Sequence, residues 1–567
     1  MFKTIRVNMS ELTTAEEPLK EEYMLIGGRG LVARILTDEV EPTCEPLGPE
    51  NKLIFCTSIF AGMGVSTGNR LSVGCKSPLT GGIKESSSGG TVGSYMADHG
   101  IKVIIIEDQP DQEGPWVVHV NSAGRVSLDE ASDLSGTYNY SLNEKLFARY
   151  GSDIAVASIG PAGERLYRNS TIQVTEYGTN HPSRAAARGG IGSVMGSKKI
   201  KAVVLEKAGE RFKPPLVDAF KFKKVRTEFN KILAEGSAND ELRKMGTPAG
   251  VKHHAETGSL PVRNFSGKQL ENLNDLYPDK FAALLKKRGR SGLPCQAGCV
   301  IRCANLLFDE KGDLVVSGLE YETVALIGAN CDITSFDEIA KIAHQCDDFG
   351  IDTIETGATI AVCMEAGKIP WGDAKAAMEL VREMVKGTEF GKLMGEGTEA
   401  VARHLGVNRI PVAKHQAFAG YDIRGAGITG VAFATSAMGA DHTTAPAPGS
   451  CAEMLPEEIC DASKNLQKVF AMLDNIMCGF AWVFANQHLD KLAALYAAAF
   501  GGDADPERLL NLGTETLTLE KRFNKKAGWT DEEDRLPEFF YKEKSEITGI
   551  TFRVPQEMLS QALKEFE

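Results

Sequence analysis

The chain has 567 residues, 43% of them hydrophobic and 25% charged, the balance of a soluble globular protein with roughly two to four domains. A net charge of −13 leaves phosphate repulsion uncompensated, which excludes nucleic acid and anionic membrane as partners. Met1 to Ser10 holds no apolar signal core, and no stretch nears the roughly 20 apolar residues of a membrane span; a cytoplasmic location is expected.

Up to residue 207 the chain reads as short β-branched or apolar runs broken by glycine. Strands are predicted at Lys52–Phe55, Val103–Glu107, Trp116–Val120, Ile154–Ala157 and Ala202–Leu205. Between them lie Gly27-Gly28-Arg29-Gly30, Pro78–Gly82, Ser86–Gly90 and Gly189–Gly192, read as turns in a mainly β domain. The polar stretch Ala208–Val217, with its paired prolines, serves as a linker. Beyond it the apolar period becomes helical. Asp218 caps a predicted helix burying Phe222, Val225, Phe229 and Leu233. Ser335 starts another that buries Phe336, Ile339, Ile342 and Ala343 and stops at Gly350, with Asp352 capping the next. Asp373 caps one burying Ala377, Leu380, Val381 and Met384, and residues 457–500 read as long Ala-rich helix.

Most of the twelve cysteines stand singly and read as small buried hydrophobes. The exception is Leu293–Ala304, LPCQAGCVIRCA, with thiols at Cys295, Cys299 and Cys303. The spacing allows a stripe of small core residues on a helix. Pro294 and Gly298 favour instead a turn folded around a soft metal, zinc or iron–sulfur. Zinc would want a second Cys or His pair nearby, and none follows. Cys478, in LDNIMCGF, offers a distant fourth thiolate.

Three further stretches contain groups that ordinary packing explains incompletely. Gly318–Thr323, GLEYET, sets Glu320 and Glu322 around Tyr321 before an apolar run. It is either a solvated strand edge or, in a pocket, the source of a general base with a raised pKa. Asp347 and Asp348 fall in the last turn of a predicted helix, where acids oppose the dipole; they suit hydrogen bonds to a ligand's amino groups. His442 follows Gly439, Ala440 and Asp441 in a tight segment of the kind that presents functional side chains.

Taken together these strings resemble the aldehyde:ferredoxin oxidoreductase family of tungsten-pterin enzymes. The resemblance runs through GGRG at 27–30, PLGPENKLIF at 46–55, SPLTGGI at 77–83, SSSGG at 86–90 and RAAARGGIGSVMGSKKIKAV at 184–203. It continues through GTPAG at 246–250, LPVRNF at 260–265, the cysteine cluster, EYET, DDFGID, ATSAMGADH and LEKRFNKKAG at 519–528. It implies an α+β fold: a β-rich pterin-base domain at 1–207, then mainly helical domains at 208–415 and 416–567. A tungsten or molybdenum held by two pyranopterins would lie at their junction, with Mg2+ able to bridge the pterin phosphates. By position, Arg70, Ser87, Gly89, Gly90, Arg184, Ala185 and Gly189 would hold the pterins, while Asp347, Asp352 and Asp474, with Gly350 beside them, would meet their amino groups. Cys295, Cys299, Cys303 and Cys478 would ligate one [4Fe–4S] cluster. Glu322 would deprotonate water, His442 would polarise the substrate oxygen, and Tyr321 would stand adjacent.

The sequence departs from the family pattern in four ways. The first two cysteines are spaced CxxxC rather than CxxC; the segment around Asp474 and Cys478 is one residue short; Lys341 replaces the Glu that precedes His344 in members with a bridging iron; and Thr444 stands where a basic residue is usual. The expected reaction is aldehyde oxidation to a carboxylic acid, with electrons leaving to ferredoxin or an iron–sulfur partner subunit in a homo- or hetero-oligomer. The alternatives are low-potential reduction of an acid or aromatic acyl-CoA on the same cofactor, and a scaffold or electron-transfer subunit without the metallopterin.

Overall fold

The computed structural model describes residues 1–447 and 451–566. Two six-stranded sheets form the N-terminal part. From edge to edge the first runs Thr13–Pro18, Lys3–Asn8, Ile101–Glu107, Leu53–Thr57, Leu71–Lys76 and Ile83–Ser88. The second runs Arg184–Ala186, Ile172–Val174, Ile154–Ser158, Ile200–Glu206, Trp116–Val120 and Val126–Glu130. All five predicted strands are present. Their central members are buried on both faces, which is why they read as continuous apolar runs rather than alternating ones. One core cluster, including Ile5, Phe55, Ile104, Val118, Ile172 and Val203, joins the two sheets.

Two glycine-rich motifs read as turns instead open helices. Gly28 begins the helix Gly28–Glu39, and Gly190 precedes the helix Ile191–Ser197. The reason is close packing: a Cβ on Gly28 would come 1.9 Å from the Asp474 carbonyl oxygen. Glycine here permits the approach of a later helix, not a reversal.

The helical remainder follows its predicted caps. Asp218 accepts from Lys221 N, Ser335 from Glu338 N, Asp352 from Ile354 N and Asp373 from Ala376 N. Gly350, at φ 85°, ends the helix Phe336–Phe349. Val225 is only half-buried, whereas Phe222, Phe229 and Leu233 are buried. The segment read as one long helix is broken. Pro456–Ile476 stops at Met477, and after short turns the chain resumes as Trp482–Gln487 and Leu489–Phe500. The break frees Cys478 from helical backbone. Among the described residues no single helix is long and apolar enough to cross a membrane.

Candidate active site

A cavity of about 550 Å³ opens where the strand Ile83–Ser88 meets the helical part. The predicted Arg70, Ser87, Gly89, Arg184, Ala185, Asp347, Asp352 and Asp474 line it, as do Cys295, Cys303, Cys478, Tyr321, Glu322 and His442. Sequence positions from 70 to 478 thus share one chamber. Gly90 lies just behind the wall, its N–H donating to the Cys295 carbonyl at 2.9 Å. Two predicted glycines lie elsewhere. Gly189, at φ 81°, covers the stem of Lys84, and Gly350 packs against Gly160 and Asn139.

The cysteine loop is the connection of an irregular hairpin between Gly289–Leu293 and Ala304–Phe308, a sheet the sequence did not announce. It docks on the segment 66–70: Gln296 Nε2 donates to Thr67 O at 3.0 Å, Asn69 Nδ2 to Ala297 O at 3.0 Å, and Val300 N to Ser66 Oγ at 3.1 Å. Cys478 N donates to the same Thr67 carbonyl at 3.1 Å, so one residue ties together both ends of the cysteine set. A hydrogen bond from Cys299, with Arg184 and Arg70 nearby, draws the Cys295 thiol well below its ordinary range despite burial. The thiols of Cys299, Cys303 and Cys478 are pushed up, Cys299 first by Cys295 and the other two by burial. A Cβ on Gly89 would lie 3.0 Å from Cys295 Sγ, so the bare glycine admits the thiol to the chamber wall. Among the described residues no three His, Cys, Asp or Glu side chains converge on a single-ion site.

Tyr321 and Glu322 begin a buried helical turn that widens at Val324–Gly328, rather than a strand edge. Glu322 Oε2 accepts from Gly420 N at 2.6 Å, and Tyr321 Oη donates to Gly420 O at 2.7 Å. Glu322 Oε1 is buried without a protein partner among the described residues. Burial raises its pKa, against the attraction of His442 and the Gly420 N–H. His442 Nδ1 lies 3.5 Å from Asp441 Oδ1. Asp441 in turn pairs with the fully buried Lys84, which holds its carboxyl far below the usual range against the opposing effect of burial.

Not every predicted residue is free for a ligand. Asp352 spends one oxygen on Ile354 N and the other on Arg188 Nε at 3.2 Å. The Arg184 guanidinium is shared between Glu176 and Glu320. Asp474 faces Arg29 at 3.4 Å, and burial nevertheless lifts its pKa. Sequence reasoning missed Glu85, whose Oε1 is unpartnered and whose carboxyl burial pushes well up. It also missed Lys84 and Arg188, the latter holding the carbonyls of Ala417 and Ala440. The strand that carries Lys84 and Glu85, Ile83–Ser88, has one apolar residue and takes in part of the Ser86–Gly90 stretch read as a turn, so nothing in the sequence marked either side chain as buried. The ring cluster of His254, Tyr321 and Tyr421, with centroids 4.8 to 5.5 Å apart, had no sequence signal.

Comparisons with known proteins agree over nearly the whole length. Residues 4–207 match the family described as aldehyde ferredoxin oxidoreductase, N-terminal domain, and residues 224–566 match its domains 2 and 3. The chain is 32% identical to the tungsten-containing aldehyde ferredoxin oxidoreductases of Thermococcus kodakarensis and Pyrococcus furiosus, over 95% of its own length and 91% of theirs. It is 25% identical to a P. furiosus aliphatic sulfonate oxidoreductase, WOR-like subunit, over 91% of this chain and 84% of that one. Its fold matches the active site complex BamBC of benzoyl coenzyme A reductase at a TM-score of 0.78 and 19% identity, covering 100% of this chain and 98% of that one. The chain is an oxidoreductase that belongs to the aldehyde ferredoxin oxidoreductase family.

Proposed function

We propose that the chain oxidises aldehydes to carboxylic acids at a tungsten or molybdenum held by two pyranopterins, and that electrons leave through one [4Fe–4S] cluster to ferredoxin or an iron–sulfur partner subunit. The observation behind this reading is the unpartnered Glu322 Oε1, buried in the chamber that His442 and the cysteine set also wall. The residues present fit the cofactors. Arg70 spends one donor on Ser87, at 3.0 Å, and keeps the rest for phosphate. Gly89, bare of a side chain, lets the Cys295 thiol come up to the chamber wall that a flat ring system would face. Asp347 and Asp474 face the chamber as carboxyls kept neutral more readily than usual, so they can both donate to and accept from a heterocycle.

When bound, the metallopterin would take the electron pair from the substrate and hand it on to the cluster. The protein supplies the rest. Gly420 holds Glu322 by one oxygen, leaving the other to take a proton from water. His442, backed by Asp441, faces the substrate oxygen, and the aromatic wall of Tyr321 and Tyr421 excludes bulk water. Residues 1–207, 208–415 and 416–567 act as the three units that close around the chamber. Anaerobic purification, metal analysis and an aldehyde panel with a viologen acceptor test the proposal. Tungsten or molybdenum with about four irons and aldehyde-dependent dye reduction is the expected result; irons without tungsten or molybdenum would overturn it.

A further inference from the structure

Aldehyde oxidation consumes one water and releases two electrons and two protons: RCHO + H2O → RCOOH + 2 H+ + 2 e−. A cluster and a one-electron acceptor of low potential remove the electrons in two steps, but neither removes the protons. If the reading above holds, each turnover must bring one water in to the buried Glu322 and carry two protons away from it.

One seam has the chemistry for it. Asp347 and Ser183 line the chamber. Behind them the Tyr140 ring lies 4.5 Å from that of His344 and 5.9 Å from that of His181. Tyr140 Oη, Ser183 Oγ, His181 Nδ1 and His344 Nδ1 are all buried and have no protein partner among the described residues. The seam is framed by fixed backbone: Asn139 Nδ2 donates to Asp347 O at 2.8 Å, and Tyr140 N to Asp348 Oδ1 at 3.0 Å. At its outer end His181 follows the exposed Asn180, whose carbonyl accepts from Asn143 Nδ2 at 2.6 Å.

Isolated orphans of this kind are costly, and a run of them signals ordered water. Burial favours the uncharged phenol of Tyr140 and the neutral imidazole of His181. Both groups then donate and accept, as a relay requires. None of them belongs to the proposed metal or pterin contacts except Asp347, where the route begins.

We propose that Tyr140, His181, Ser183 and His344 line a water file that connects the catalytic chamber to the surface and exports the protons of turnover. Tyr140→Phe keeps the ring stack and removes only the hydroxyl. In the metal-loaded enzyme it should cut steady-state turnover about tenfold to a hundredfold and raise the solvent deuterium isotope effect on kcat, with metal content unchanged. A high-resolution crystal structure of the full chain should show ordered waters linking Ser183 Oγ, Tyr140 Oη and the two imidazoles. A dry seam, or a Tyr140→Phe enzyme with unchanged turnover and isotope effect, overturns the proposal. The crystallographic arm is independent of the reaction: waters present in a chain that oxidises no aldehyde would refute the function but keep the file.

Discussion

Gly420 grips Glu322 through its backbone: its N–H donates to Oε2 at 2.6 Å, while its carbonyl accepts from Tyr321 Oη at 2.7 Å. Two neighbouring side chains are thus indexed to one glycine some hundred positions away in the chain, through its two flanking peptide units. A Cβ at 420 would lie 2.9 Å from Glu322 Oε2 and 2.8 Å from Ala325 Cβ. Gly420→Ala therefore displaces the carboxylate. Overpacking of this kind costs about 1–3 kcal/mol, and an ångström of misplacement costs about a hundredfold in rate. The variant should stay folded with full metal content and lose kcat/KM far more than it loses Tm, measured by viologen reduction and thermal unfolding.

Glu322→Gln removes the proton acceptor and keeps the Gly420 N–H bond through the amide oxygen. Turnover should fall by about 10²–10⁴. The pH profile gives the sharper test. The carboxyl is raised from 4.5 because it is buried, and only its ionised form accepts a proton. Activity in the wild type should thus fall on the acid side at a pH above 4.5, and that limb should vanish in Glu322→Gln. An acid limb that persists in the variant assigns the base elsewhere.

The core of the fold was legible because buried strands leave apolar runs and helices leave caps. Asp218, Ser335, Asp352 and Asp373 each cap as their side chains dictate. What stayed hidden depends on contact between distant segments. Gly28 looks like turn glycine until the Asp474 carbonyl is found against it. The break at Met477–Cys478 was missed because the apolar, alanine-rich pattern resumes directly after it, although Gly479 stands where a helix stop is marked. The chemistry was legible as residue types, as with EYET and His442, but their partners were not. Gly420 belongs to no conspicuous motif, and its role exists only in three dimensions.

Glu85 offers a test on stability rather than rate. Burial raises its carboxyl from 4.5 to about 8, helped by Asp474. The native state therefore binds this proton more tightly than the unfolded chain does. Its stabilising contribution is complete below pH 4.5 and is lost as pH rises toward 8. Glu85→Gln mimics the protonated form at every pH. The variant should match the wild type near pH 5 and show a higher apparent Tm at pH 8 to 9, so that its Tm profile is the flatter one.

Cys295 tests the unusual CxxxC spacing. Its thiol is drawn down to about 6 by Cys299, with Arg184 and Arg70 adding to the effect, which makes it the readiest thiolate of the set at neutral pH. Cys295→Ala should abolish the cluster: iron falls from about four per chain toward zero, and the low-temperature electron paramagnetic resonance signal of the reduced protein disappears. Retention of a full cluster would move the ligand role to another cysteine.

Arg29 tests how the first helix is fastened to the last ones. Its guanidinium pairs with both oxygens of Glu520, at 2.7 and 2.8 Å, and faces Asp474 at 3.4 Å. Arg29 and Glu520 are almost wholly buried. Arg29→Met leaves two acids in low dielectric without their cation, a change worth about 3–5 kcal/mol. Because Asp474 lines the chamber, the damage should extend past stability: with Arg29 gone the Asp474 carboxyl loses the 3.4 Å contact that orients it, and pterin occupancy should fall. Adding Glu520→Leu to Arg29→Met removes one stranded charge and should recover most of the stability. It should not recover occupancy, because Asp474 still lacks its arginine. Thermal unfolding and pterin content of the single and double variants separate the two effects. Equal recovery of both would mean that Arg29 acts only as a fastener.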